Sequence, residues 1–322
     1  MKNLFNKWPE QLIHRQMLFL ALTLIINFLV TWFSIYTINS YGFVLFLLCP
    51  ISMGFLPGYF IVRPGDQHKS FDFFRYGLIA LFFYYLGIFM FAMEGVICLA
   101  MALPLALLFV YFGSLISKSF HASSYKSDVL PVLFMLSLPF LSFAEKDFMP
   151  DLTQVSTEIV IDAPIDQVWE HIIVFPELDA PTEYLFKTGI SYPLNATIEG
   201  SGVGAIRRCN FTTGSFVEPI TVWNPSHLLA FDVLEQPAPL KELSIYDLHA
   251  PHIDDYFVSK KGEFRLTSLS ANQTLVVGTT WYYHKIKPVA YWELWSTYIL
   301  HKIHQRVLNH IKTQSEIEVH VS

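Results

Sequence analysis

The chain has 322 residues, of which 53% are hydrophobic and only 15% charged, and its formal net charge is −6. A soluble globular domain carries about 25% charged residues, so this shortage of charge argues against a disordered chain, a coiled coil or a nucleic-acid binder. Cys49, Cys98 and Cys209 are too few for a disulfide framework, and 15 glycines exclude a collagen-like repeat.

The average conceals a division. Up to Ala144 the chain has eight Lys or Arg against five Asp or Glu, a balance of +3. From Glu145 onward it has 13 against 22, a balance of −9.

The first part contains apolar, uncharged stretches at 17–37, 43–62, 76–93, 96–117 and 129–144. A bilayer core about 30 Å thick needs about 20 helical residues. The first four stretches meet that length; the fifth, with Pro131 and Pro139, is marginal. No cleaved signal peptide is expected, because the first stretch is too long and lacks a small-residue cleavage pattern. Residues 1–144 therefore read as a transmembrane region of about five spans. The basic segments fall in the N-terminal tail and in the connections after spans two and four. That distribution predicts a cytoplasmic N-terminus. Five spans then place the acidic part outside, in the periplasm of a bacterium; if 129–144 does not span, that part is cytoplasmic. Glu94-Gly95 forms a tight hairpin at the interface. Pro50, Gly54, Pro57 and Gly58 suggest a kinked second span.

Residues 145–153 read as a linker. From 154 the apolar residues alternate through Ile161, the pattern of a half-buried strand. Asp162 is suited to cap a helix and Pro164 to open it. Val168, Trp169, Ile172 and Ile173 give that short helix an apolar face. A second short helical segment is expected before Pro181. Strands follow at 189–198, 204–211, 215–222, 228–234, 257–269 and 274–286, separated by turn signals such as Asn224-Pro225-Ser226. A long helix closes the domain over 288–313, leaving a tail at 316–322. Antiparallel strands with segregated helices make this an α+β domain.

The order of elements, the opening VSTEIVIDAPIDQVWEHIIVFPEL and the closing helix resemble the START-like, or SRPBCC, superfamily, which includes polyketide cyclase/dehydrase and lipid-transport proteins. The resemblance spans residues 154–312. The strings EPITVWNP, HAPHIDDYFVSKKGEFRL and GTTWYYHK resemble uncharacterised bacterial membrane proteins with such a domain. It implies a helix-grip fold over residues 154–315: a curved antiparallel sheet around the long C-terminal helix, enclosing a hydrophobic cavity. It implies a lipid or other hydrophobic small molecule as ligand. No cofactor is expected. The superfamily has no common catalytic motif.

At about 100° per residue, Trp292, Ser296, Ile299, Leu300, Ile303 and Val307 form one stripe of the long helix, directed at the sheet. Leu294, Tyr298, His301 and Leu308 form a weaker opposite stripe that also needs cover. Strand alternation places Arg207 and Cys209 on one face, Glu218 on a face of the next strand, and Thr280, Tyr282 and His284 on a face of the last. A charge turned inward must be paired. An Arg207–Glu218 pair either orients a polar ligand group or staples the sheet. Glu183 lies near the expected mouth. The ligand-binding candidates are therefore Glu183, Arg207, Glu218, Tyr282, His284, Trp292, Ile299 and Ile303. Cys209 reads as a small buried residue, not a nucleophile.

The long connection 236–256 carries Asp247, His249, His252, Asp254 and Asp255 and reads as a lid. His252 beside Asp254 is the candidate acid/base pair for a rival reading, a cyclase- or hydrolase-type enzyme. A second rival is a non-catalytic membrane interaction or assembly protein. The pairs His249/His252 and His301/His304 lack the spacing of the helical zinc motif, and no metal is expected. Nor is nucleic acid, given the −9 domain.

Overall fold

The computed structural model describes residues 12–62, 70–122, 129–145, 148–241, 253 and 256–321. It divides into two compact units. Of the described residues, one unit holds those up to 148 with 286–288, and the other holds those of 149–241, 253, 256–285 and 289–321.

The first unit is helical. Helix α1 (Leu12–Trp32) runs on through a π-helical turn, Phe33–Ile38. A second π-helical turn, Val44–Leu48, leads into α2 (Cys49–Ile61). Helices α3 (Ser70–Met90), α4 (Val96–Ala122) and α5 (Val129–Phe143) follow. Four of these helical runs, Ile13–Ile38, Val44–Ile61, Phe71–Met90 and Val96–Ala122, are long and apolar enough to cross a membrane. Helix α5 has 15 residues and is shorter than that requirement.

Two features that composition does not reveal hold these helices together. Gly54 of α2 lies against α4 so closely that an added Cβ would sit 2.0 Å from the Val110 carbonyl oxygen, and one on Gly113 would sit 2.2 Å from that of Ile51. These glycines permit backbone contact, as small residues do between apolar helices. The second feature is a polar stripe on α1 and its π-helical extension. Thr23, Asn27, Thr31 and Ser34 are all buried. The Asn27 amide donates to the Thr23 carbonyl (2.8 Å) and accepts from the Ser52 hydroxyl (2.8 Å). Thr31 bonds to the Tyr84 hydroxyl, and Ser34 lies 2.8 Å from the Ser142 hydroxyl. The stripe thus joins α1 and its extension to α2, α3 and α5.

The second unit is built on a seven-stranded sheet, fully antiparallel, in the order β1-β7-β6-β5-β4-β3-β2. The strands are β1 (Thr153–Ile161), β2 (Pro193–Glu199), β3 (Ile206–Phe211), β4 (Gly214–Asn224), β5 (Leu228–Asp232), β6 (Phe257–Ser270) and β7 (Gln273–His284). Register shifts at 193/195, 220/222, 259/261 and 268/270 interrupt the ladders. Such bulges bend strands, and here they curl the sheet. Helix α6 (Ile165–Ile173) buries Val168, Trp169 and Ile172. The last helix, α7 (Val289–Val321), lies in the curl. Together these elements form a helix grip.

Three local expectations are corrected. Asp162 does not cap α6: Pro164 holds the N-cap position, and Asp162 Oδ1 accepts from Gln273 Nε2 (2.9 Å). The second short helix lies after Pro181, not before it, as a 3-10 turn at Tyr184–Thr188. Helix α7 runs past residue 313 and through the expected tail to Val321. There Lys312 and Glu316 form an i,i+4 pair, and Glu316 Oε1 accepts from the Asp162 amide (2.9 Å). These contacts with the β1 turn support a polar final stretch whose apolar period has lapsed.

Both edges of the sheet bond to α7. On the β1 edge, Thr157 Oγ1 lies 2.7 Å from His301 Nδ1 and 3.1 Å from His304 Nδ1, and Thr280 Oγ1 of β7 lies 2.8 Å from His304 Nε2. On the β2 edge, Arg306 donates to the carbonyls of Pro193 (3.3 Å) and Asp179. The opposite stripe of α7 is split as a result. Its C-terminal members meet the sheet, with Leu308 fully buried, whereas Leu294 and Tyr298 are exposed.

Replacing Asn27 with Leu removes an interhelical bond and should lower stability in detergent by about 0.6–2 kcal/mol, read as an earlier thermal unfolding transition. His304 supplies a pH test. Burial, with His301 as the second cause, lowers its pKa from 6.5 to about 4. The unfolded chain then binds the extra proton first, so stability is full above about pH 6.5 and falls as pH drops toward 4. His304→Gln should flatten that part of a stability-against-pH curve measured by chemical denaturation.

Candidate functional site

The concave face of the sheet presents two groups of the predicted site residues. The first is on β3 and β4. Arg207 and Glu218 are directly opposite in register, so alternation puts both side chains on the gripped face. Arg207 is 1% exposed and Glu218 6%. Arg207 Nη1 donates to Glu218 Oε2, and Nε donates to the Ile173 carbonyl at 3.1 Å. The rings of Phe175, Phe231 and Phe264 surround the guanidinium, with centroids 5.6, 5.5 and 5.8 Å from Cζ. Gly262 makes space for this arrangement, since a Cβ there would lie 2.6 Å from the Phe231 ring.

Electrostatics in this group follow from its dryness. Burial, the largest single effect, disfavours the Arg207 charge, but Glu218 and Cys209 together outweigh it and the guanidinium pKa is raised. Burial likewise lifts the Glu218 carboxyl above its ordinary value, and Arg207 pulls it back only in part. Arginine does not give up its proton in proteins, so Arg207 keeps its charge beside Glu218. The neighbouring Cys209 thiol is pushed up to about 12, chiefly by burial and next by the Glu218 charge. It stays protonated and is not a nucleophile.

The second group joins β7 to α7. The Tyr282 side chain is fully buried, with its hydroxyl 2.8 Å from that of Ser296 and 3.3 Å from that of Thr297. Its ring packs on Phe257 at a centroid distance of 5.1 Å. His284 and Trp292 are also buried. Ile299 and Ile303, on the same stripe of α7, are half-buried, as are Phe257 on β6 and Phe211 and Phe216 on β3 and β4.

Glu183 stands apart from both groups. It belongs to the segment before the 3-10 turn, where its charge acts on Arg306. Arg306 in turn lies over the Tyr192 ring at 5.2 Å. His252 and Asp254 lie outside the described residues, as do Asp247, His249 and Asp255, so the acid/base pair is not placed. Among the described residues no group of His, Cys, Asp and Glu is arranged to hold a metal ion.

Sequence reasoning missed the partners more than the principals. Thr157 and Thr280, which bind the two helix histidines, look like ordinary strand threonines. Phe175, Phe231 and Phe264 come from separate elements, and nothing in their spacing marks them as the surround of one arginine. Arg306 carried no signal, because its acceptors are backbone carbonyls.

Arg207→Met strands Glu218 in a dry environment and should cost about 3–5 kcal/mol, whereas Arg207→Met with Glu218→Met should recover most of that loss. Calorimetric unfolding of the full chain and both variants checks the order.

No family model matches the chain, and no curated protein does. Solved structures match it over its C-terminal half. The Zhui aromatase/cyclase from Streptomyces sp. R1128 is 16% identical, with 52% of this chain and 96% of that one covered, at a TM-score of 0.35. A norcoclaurine synthase point mutant from Thalictrum flavum, in complex with a transition-state analogue, is 12% identical, with 53% and 99% covered, at 0.34. A protein from Nitrosospira multiformis is 18% identical, with 51% and 96% covered, at 0.34.

Proposed function

We propose that this protein is a membrane-anchored START-like domain that binds a lipid or other hydrophobic small molecule between its sheet and α7. Residues 1–144 serve as the anchor, 145–153 as the linker and 154–315 as the ligand-binding domain. The observation that carries this reading is the composition of the gripped face. Half-buried Phe257, Phe264, Ile299 and Ile303 lie beside buried polar groups at Tyr282–Ser296, His284 and Arg207–Glu218. An apolar lining with a few fixed polar groups suits a ligand that is mostly hydrocarbon with one polar end. Each methylene buried there contributes about 0.8 kcal/mol, so chain length sets affinity and the polar groups set orientation.

In this reading Trp292, Ile299 and Ile303 touch the apolar body of the ligand. Tyr282 and His284 orient its polar end, and Glu183 guards the mouth. Arg207 and Glu218 hold the far end of the sheet in shape and polarise the surrounding rings. The opening string IDAPIDQVWEHI, followed by a helix-grip architecture, supports membership of the SRPBCC superfamily. The four long apolar helices support the anchor. The basic segments support an N-terminus on the cytoplasmic side of a bacterial inner membrane, with the domain in the periplasm.

Binding of an apolar fluorophore to the full chain in mild detergent should be saturable and displaced by lipid extract. Ile299→Trp and Ile303→Trp should each weaken it by at least about tenfold, because a bulky ring fills the space the ligand needs. Mass spectrometry of co-purified lipid should show a bound species that the same variants lose. Absence of saturable binding across a broad lipid panel would overturn the proposal.

A further inference from the structure

The gripped face of β7 carries Thr280 and Tyr282, so Trp281 and Tyr283 point to the outer face of the sheet. Two exposed lysines of β6 lie on those rings. Lys261 Nζ is 4.4 Å from the centroid of Trp281, and Lys260 Nζ is 5.5 Å from that of Tyr283. The bulge between Ser259 and Lys261 turns these consecutive lysines toward the same side. Lys285 follows directly after β7. Asp232 is the acid in register with Lys261. This cluster of cations stands out in a part of the chain whose balance is −9.

The position of the cluster matters as much as its charge. Thr153, where β1 begins, pairs with Tyr282, and Phe257 pairs with His284, the last residue of β7. The chain arriving from α5 and the chain leaving β7 for residues 286–288 therefore both pass this end of the sheet.

We propose that this lysine and aromatic end of the outer sheet face is a docking surface for anionic phospholipid headgroups. Tyrosine and tryptophan rings favour the headgroup level of a bilayer, and each lysine near an anionic leaflet strengthens attachment by about fivefold. The proposal rests on reading the apolar helices as membrane spans. It adds that the domain itself contacts the lipid surface, in one orientation set by Lys260, Lys261, Trp281 and Tyr283.

The test uses the full chain in nanodiscs of phosphatidylcholine alone, or of equal parts phosphatidylcholine and phosphatidylglycerol. Lysine acylation rates are read by mass spectrometry, with exposed Lys187 as internal reference. Lys260 and Lys261 should label at least about fivefold more slowly in the anionic discs, and added salt should restore the rate. In Lys260→Gln/Lys261→Gln, Lys285 should lose its lipid-charge dependence. A chain that fails to float with liposomes overturns the reading of the helices as spans, and this proposal with it. A chain that floats but labels equally in both discs overturns this proposal alone. Protection by a soluble polyanion in phosphatidylcholine discs, with none from phosphatidylglycerol, would identify a polyanion site and overturn the lipid assignment.

Discussion

Both edges of one curled sheet are fastened to a single helix, and the architecture of the second unit depends on that constraint. The β1 edge bonds through Thr157 to His301 and His304, and the β2 side bonds through the Pro193 carbonyl to Arg306. A curled sheet with free edges exposes unpaired backbone groups and apolar surface. Side chains of α7 meet part of that need at each margin. The hydrogen bonds suit a neutral imidazole at His304, which offers one donor and one acceptor to two threonine hydroxyls. The same requirement gives three of the polar residues of this helix, His301, His304 and Arg306, a place at the margins.

Within the curl, the Arg207–Glu218 pair is the costliest feature. Taking two charges out of water is unfavourable, and the pair persists because the remaining donors and the surround are also satisfied. Ile173 supplies a carbonyl to Nε, and three phenylalanine rings present their faces to the cation. The pair couples β3 and β4 to the end of α6, so the sheet and the short helix keep one geometry. A fixed geometry at this end leaves the Tyr282 and Ser296 end, with half-buried Ile299 and Ile303 beside it, as the place where an apolar ligand is accommodated in the proposed function.

The helical unit solves a different problem. Apolar surface alone gives long apolar helices no reason to choose one neighbour over another. Its specificity comes from the exceptions to its composition. The polar stripe from Thr23 to Ser34 has partners on three other helices, and Gly54 and Gly113 admit close backbone contact. Gly54 and Gly58, two of the residues that mark the second apolar stretch as irregular, are accounted for by close approach to Val110 and Ser117 of α4.

Periodicity and composition alone determined the +3 and −9 division, four helices of membrane-spanning length, the strand–helix–strands–helix order, and the stripe of α7 that meets the sheet. Those features are local, since each depends on residues within a few turns or strand positions of one another. Alternation also put Arg207 and Glu218 on inward faces, but only strand register brought them opposite. The residues bonded to the histidines and arginine of α7 lie 24 to 147 positions from them, and the three phenylalanines around Arg207 come from β5, β6 and the chain just after α6. Such partners have no period to betray them. They are chosen by the curl of the sheet and the placement of α7 within it, which is a property of the whole unit and not of any one segment.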